Sequence, residues 1–161
     1  MAQFEIGDLL VYSRTGVCRV AGFSNGAAQQ CYVLQPLYQT CSIMIPVGNT
    51  KVFMRPIVSA AEAEALIADL PGMEAEPYYN RNLNQLREHY RGQLDGYSCM
   101  SLAMFVLSLY RKRREMLAAG KKFGAVDERF LKEAEDLLCG EVAAALDTER
   151  DEVRKRLTPV Q

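Results

Sequence analysis

The spacing of apolar and polar residues changes once along the chain, from alternation in its first third to helical spacing in the rest. Leu9 to Arg14 and Val17 to Phe23 are rich in β-branched and aromatic residues, and Thr15-Gly16 between them suits a tight hairpin. Asn25-Gly26 favours the positive φ of a second turn, after which Gln30 to Gln35 runs back. Cys41, Ile43 and Ile45 alternate with Ser42 and Met44, and Pro46 stops that strand because proline cannot donate to a ladder. A last strand spans Arg55 to Val58. Short strands joined by tight turns predict a small, strongly bent SH3-like or Tudor-like β-barrel over residues 1–58.

Ser59-Ala-Ala-Glu62 has the form of a capping box and opens a helix to Leu70. Pro71-Gly72 ends it, so residues 59–77 read as a capping helix and linker ahead of an all-α bundle over 78–161. Tyr79, Leu83, Leu86 and Tyr90 fall on one face of a helix that ends at Gly92. On that phase Tyr79 points into the core, while Tyr78, Arg81 and His89 point outward. Ser98 caps the next helix, with Leu102, Val106 and Leu109 as its buried line and Arg111 to Arg114 as its basic end. Gly120 and Gly124 bracket a basic loop. A third helix from Asp127 buries Phe130, Ala134, Leu137, Leu138, Val142 and Ala145, and Thr148 with Asp151 starts a short final one. The expected class is α+β, a β-barrel followed by a helical bundle.

Composition narrows the function. With 49% hydrophobic and 24% charged residues the chain is globular. No run approaches the roughly 18 apolar residues of a membrane helix, and the first residues lack a signal-peptide pattern, so a cytoplasmic protein without a membrane partner is expected. Cys18, Cys31, Cys41, Cys99 and Cys139 are widely scattered and His89 is the only histidine, which argues against a zinc site. The first three cysteines read as small buried hydrophobes. No paired nucleophile and base, metal spacing or phosphate loop is present, so neither catalysis nor a cofactor is expected.

The formal net charge of −1 conceals a segregation: residues 81–122 carry nine basic and three acidic side chains, whereas residues 1–77 carry four basic and seven acidic. Arg87, Arg91, Arg111, Lys112, Arg114, Lys121 and Lys122 are therefore expected to meet phosphates without reading bases, since no recognition-helix signature accompanies them.

Several segments resemble the CarD/CdnL transcription factors, whose N-terminal module is shared with the transcription-repair coupling factor. They are Phe4-Glu-Ile-Gly7-Asp8 with Leu10-Val11-Tyr12 and Gly16-Val17, and Ile45-Pro46-Val47-Gly48-Asn49 with Arg55. Tyr78-Tyr79-Asn80-Arg81 and Leu137-Leu138 with Gly140-Glu141 extend the likeness into the helical half. The resemblance implies a bacterial, non-enzymatic regulator whose β-module joins a strand edge of the RNA polymerase β subunit, here through Ser42, Ile43, Met44, Ile45 and Pro46. It implies a helical domain that lies against the upstream edge of melted promoter DNA and steadies the open complex with an aromatic wedge. The family's wedge is usually tryptophan; this chain has none, and Tyr78, with Arg81 on a phosphate, takes the place. Met44 stands where some members carry a basic residue. The chain is expected to be monomeric when free. The alternative is an interaction adaptor with the same β-module and no productive DNA contact.

Overall fold

The computed structural model describes residues 3–25, 29–49, 51–95 and 98–161. It divides into two compact units, Met1–Ile57 and Val58–Gln161.

The first unit is a five-stranded antiparallel sheet of β1 (Leu9–Tyr12), β2 (Gly16–Asn25), β3 (Gln30–Pro36), β4 (Ile43–Pro46) and β5 (Met54–Pro56). The spatial order is β4-β3-β2-β1-β5, a meander in which the last strand returns beside the first. This is the Tudor-like β-domain expected from the alternation. One face carries Leu10, Cys18, Val20, Tyr32, Leu34 and Ile45, all buried, with Phe4 folded over them from the N-terminal segment. The Tyr32 hydroxyl reaches the surface of that core and accepts from the amides of Gln3 and Phe4 at 2.8 and 3.1 Å, which satisfies its polar end. Register slips between Val20 and Gly22, a bulge that adds twist. Between β1 and β2 lies a 3-10 turn, Ser13–Thr15, and Gly16 opens β2 with φ of 89°, a conformation glycine takes without strain. The Asn25-Gly26 turn falls on residues 26–28, outside the described residues.

Two of the three strand cysteines depart from expectation. Cys18 is buried, and burial pushes its thiol up to about 11, but Cys31 is half-exposed and Cys41 exposed. Cys41 precedes β4 rather than belonging to it, so the alternation there begins two residues later than the sequence suggests.

The second unit packs α1 (Ala60–Asp69), α2 (Leu83–Leu94), α3 (Cys99–Ala118), α4 (Ala125–Leu146) and α5 (Arg150–Leu157) around one core. The capping box of α1 is formed: Glu62 N donates to Ser59 Oγ at 3.1 Å, and Ser59 N donates to Glu62 Oε1 at 3.2 Å. Ala63, Leu66 and Ile67 of α1 are buried in that core, so residues 59–77 are part of the helical unit. Buried Glu141 of α4 accepts from Val58 N at 3.1 Å, and Arg156 of α5 grips Glu64 of α1 through two bonds of 3.0 and 2.8 Å. Ser98 caps α3 as anticipated, whereas α5 is preceded by Glu149 without a side-chain cap rather than started by Thr148.

Helix α2 departs most from its expected bounds. It starts at Leu83, where Asn82 accepts from the amides of Asn84 and Gln85, and it passes through Gly92 to Leu94. Its buried residues are Leu86, Tyr90 and Leu94, one turn further along than the stripe read from Tyr79; Leu83 is 52% exposed.

Candidate functional site

Two surfaces, one in each unit, hold the candidate residues. In the β-unit, β4 is an edge strand paired, among the described residues, only to β3, with Tyr32 opposite Ile45 and Val33 opposite Met44. Val47 N donates to Gln30 O at 3.0 Å. Antiparallel neighbours alternate between bonded and non-bonded pairs, so Ile43 and Ile45 direct their backbone groups to β3. The N–H and C=O of Met44 then point to the open edge. The Pro46 carbonyl, which shares that direction, already accepts from Asn49 N at 3.0 Å. Ile45 is buried in the core, Ile43 and Pro46 are half-buried, Ser42 is exposed just before the strand, and Met44 is 57% exposed. The opposite edge is less open. Met54 of β5 packs on the core and its sulfur meets Asn49 Nδ2 at 3.7 Å, while Pro56 offers no donor.

In the helical unit, Tyr78 and Tyr79 lie on the non-helical segment before α2. They are placed opposite to the helical phase. Tyr78 is half-buried against the core, stacks on His89 of α2 with ring centroids 3.7 Å apart at 13°, and accepts from Asn80 Nδ2 at 3.0 Å. That stack walls a cleft of about 330 Å³ floored by Tyr90 and Phe105. His89 is therefore a packing partner and not a plain surface residue, and burial holds its pKa below the usual histidine value. Tyr79 is 52% exposed. Its hydroxyl donates to Glu115 Oε1 at 2.8 Å; cover over the hydroxyl, then this bond, push it up to about 12. The helical phase fails because Asn82 is the cap: residues before it have no helical phase. Asparagine at that position, one of the favoured N-cap residues, was the signal that marked the start.

The basic residues sort by partner. Lys112 does not face solvent: it is 3% exposed, bonded to Asp127 Oδ1 at 2.8 Å and to the Tyr90 hydroxyl at 3.1 Å, and the Tyr90 hydroxyl also bonds Asp127 Oδ1. The expectation that it meets phosphate is corrected, for it continues the inner line of α3 through Leu102, Phe105 and Leu109. That spacing was visible in the sequence, but a lysine inside a run of arginines draws the eye to charge. Arg111 pairs with Glu115 at 3.0 Å and Glu76 at 3.6 Å, and Arg91 with Glu88 at 3.4 Å. Arg87 donates to Asn84 at 3.2 Å and Arg114 to the Val160 carbonyl at 3.1 Å. Arg81, Lys121 and Lys122 are exposed. Tyr79, Arg111 and Lys112 are brought together around Glu115 and Asp127, whereas Arg87 and Arg91 lie one turn apart on α2.

Among the described residues no cluster of histidine, cysteine and carboxylates could hold a metal, and no helix is long and apolar enough to cross a membrane.

Residues 4–58 match the family of the CarD-like/TRCF RID domain. The β-unit is therefore similar to the RNA polymerase-interacting domains of that family. The match ends at Val58, where the helical unit begins, and it supports RNA polymerase interaction by the β-unit. No curated protein matches the chain.

Proposed function

We propose that the chain is a CarD-type regulator of transcription initiation in a bacterial cytoplasm, binding the RNA polymerase β subunit through β4 and steadying the open promoter complex with its helical unit. The observation that carries this reading is the RID-domain match on a sheet whose β4 edge presents the Met44 backbone groups to a partner strand. Such an edge adds a strand with little demand on side-chain identity, and the exposed Met44 side chain supplies an adaptable apolar contact.

For the DNA contact, exposure favours Tyr79 over Tyr78, with Arg81, Arg87, Arg114, Lys121 and Lys122 as the cations nearest to hand for phosphates. Tyr78 would have to leave its stack on His89 to enter a base step. The internal partners of Arg91, Arg111 and Lys112 favour a second reading, an adaptor that binds polymerase and leaves DNA alone. A mobility shift on a forked promoter fragment with polymerase separates the two. Under the leading reading the chain raises occupancy and Met44→Pro abolishes the effect; under the second, polymerase is bound and occupancy is unchanged.

A further inference from the structure

Lys112 occupies a position where an apolar side chain of similar length would fill the same space without the cost of desolvating a charge. Its surroundings suggest what the charge does. An ammonium carries three donors. Asp127 Oδ1 takes one at 2.8 Å and the Tyr90 hydroxyl a second at 3.1 Å. The Tyr79 ring lies beyond, its centroid 4.9 Å from Nζ, within cation–π range. Asp127 sits in the first turn of α4, where the helix dipole also favours a carboxylate, and the Tyr90 hydroxyl donates to it, so the cation is fixed from two helices. Tyr79 is held at its other end as well, because Glu115, which accepts from its hydroxyl, is itself engaged by Arg111 at 3.0 Å. Yet Tyr79 as a whole residue remains 52% exposed.

We propose that the buried Lys112–Asp127–Tyr90 cluster is a positioning device for Tyr79, fixing the ring on an ammonium at one face so that its other face is presented to a nucleobase. The inference rests on the proposed contact between Tyr79 and fork DNA. A ring fixed before binding loses less freedom when it stacks. A cation at one face also draws π-density inward, so the outer face meets an electron-rich purine with less repulsion. A tyrosine held this way compensates for the smaller area it offers than tryptophan.

The test uses the full chain. Lys112→Met combined with Asp127→Asn removes both charges together, so no buried ion is left unpaired. Tyr90→Phe removes only one anchor. Tyr79 ring signals, assigned by their loss in Tyr79→Phe, are followed by NMR in the free protein, and affinity is measured on forked promoter DNA carrying 2-aminopurine at its upstream edge. The charge-pair variant should shift and broaden the Tyr79 signals, Tyr90→Phe should shift them less in the same direction, and Lys112→Arg should restore them. Fork affinity should fall about 2-fold to 5-fold in the pair variant, the size of an exposed cation–π contact, with no further loss in a Tyr79→Ala background. Unchanged Tyr79 signals in the pair variant and in Tyr90→Phe overturn the positioning role, as does a fork affinity loss that simply adds to that of Tyr79→Ala. Should the pair variant not fold, unshifted signals in Tyr90→Phe alone overturn it. If Tyr79→Ala leaves fork binding untouched, the DNA contact itself fails, and the free-protein signals still decide whether the cluster sets the ring.

Discussion

The β4 edge and Tyr79 are both exposed, but they are exposed for different reasons. At β4 the backbone does the presenting: alternation puts Ile45 in the core, pairing consumes one side of the strand, and the Met44 amide and carbonyl are left over. At Tyr79 a side chain is presented, and its direction depends on Asn82 starting α2, on His89 taking Tyr78, and on a lysine buried beneath. The first surface follows from local pattern and the second from tertiary partners, and they should fail differently when disturbed.

The largest expected effect is on the stability of the helical unit. Asp127→Ala leaves the Lys112 ammonium buried without its carboxylate and should cost about 3–5 kcal/mol, seen as a lower urea midpoint for the helical signal. The combined Lys112→Met and Asp127→Asn change should recover most of that loss. No comparable penalty exists at β4, where Met44→Ala should change stability by less than about 0.5 kcal/mol because the side chain is in solvent.

Met44→Pro tests the other surface. It deletes an amide that points away from β3, so the sheet keeps its ladder while a docking strand loses a hydrogen bond and meets the proline ring. An unmade bond with its partner group left unsatisfied costs about 1–3 kcal/mol, so polymerase affinity should drop roughly 5-fold to 150-fold in pull-down titrations while circular dichroism stays native. Wild-type affinity in a folded variant removes β4 from the interface.

These differences explain what was legible beforehand. All five strands and the Ser59 capping box could be read because each depends on neighbours in sequence: alternation, turn residues, and a serine three residues ahead of a glutamate. Ser98 was readable for the same reason. The Tyr78/Tyr79 assignment was inverted because a helical phase was extended four residues past the cap that ends it. Lys112 was misplaced because charge is a weaker guide than phase when a carboxylate from a distant helix is waiting, and Asp127 is fifteen residues away. Cys41 and Leu83 are errors at element ends too: Cys41 lies two residues before β4, and Leu83 is the first residue of α2 yet faces solvent. Pattern locates elements; their ends and their buried charges are settled by contacts that pattern does not contain.

Tyr79→Ala and Tyr78→Ala form the next comparison. Loss of stacking at a disturbed base step amounts to about 1–3 kcal/mol, so Tyr79→Ala should shorten the open-complex lifetime roughly 5-fold to 150-fold with polymerase binding intact. Tyr78→Ala removes a ring packed on His89 and the core, and should show mainly as lower thermal stability of the helical unit. If the two outcomes are exchanged, the wedge is Tyr78 and the stack on His89 is a resting state that opens.

The smallest expected effect concerns salt. Each phosphate neutralised contributes a slope of about −0.9 to log K against log salt, so a cation's contact with DNA is counted by the change in slope when it is removed. Lys121 and Lys122 lie exposed in the loop before α4 and take part in no ion pair among the described residues, which leaves their charges available at no cost in broken partners. Replacing both with alanine should make the slope shallower by about 1.8. Arg111 is tied to Glu115 and Glu76, and its removal also frees two carboxylates to repel phosphate, so Arg111→Ala should weaken binding with a slope change that does not equal one contact. The charge-pair variant at Lys112 and Asp127 gives the sharpest contrast: it alters no exposed charge, so fork affinity should fall while the slope stays at the wild-type value. A slope change near 0.9 in that variant would mean that Lys112 leaves Asp127 to reach a phosphate when DNA binds, and that its burial belongs to the free protein alone.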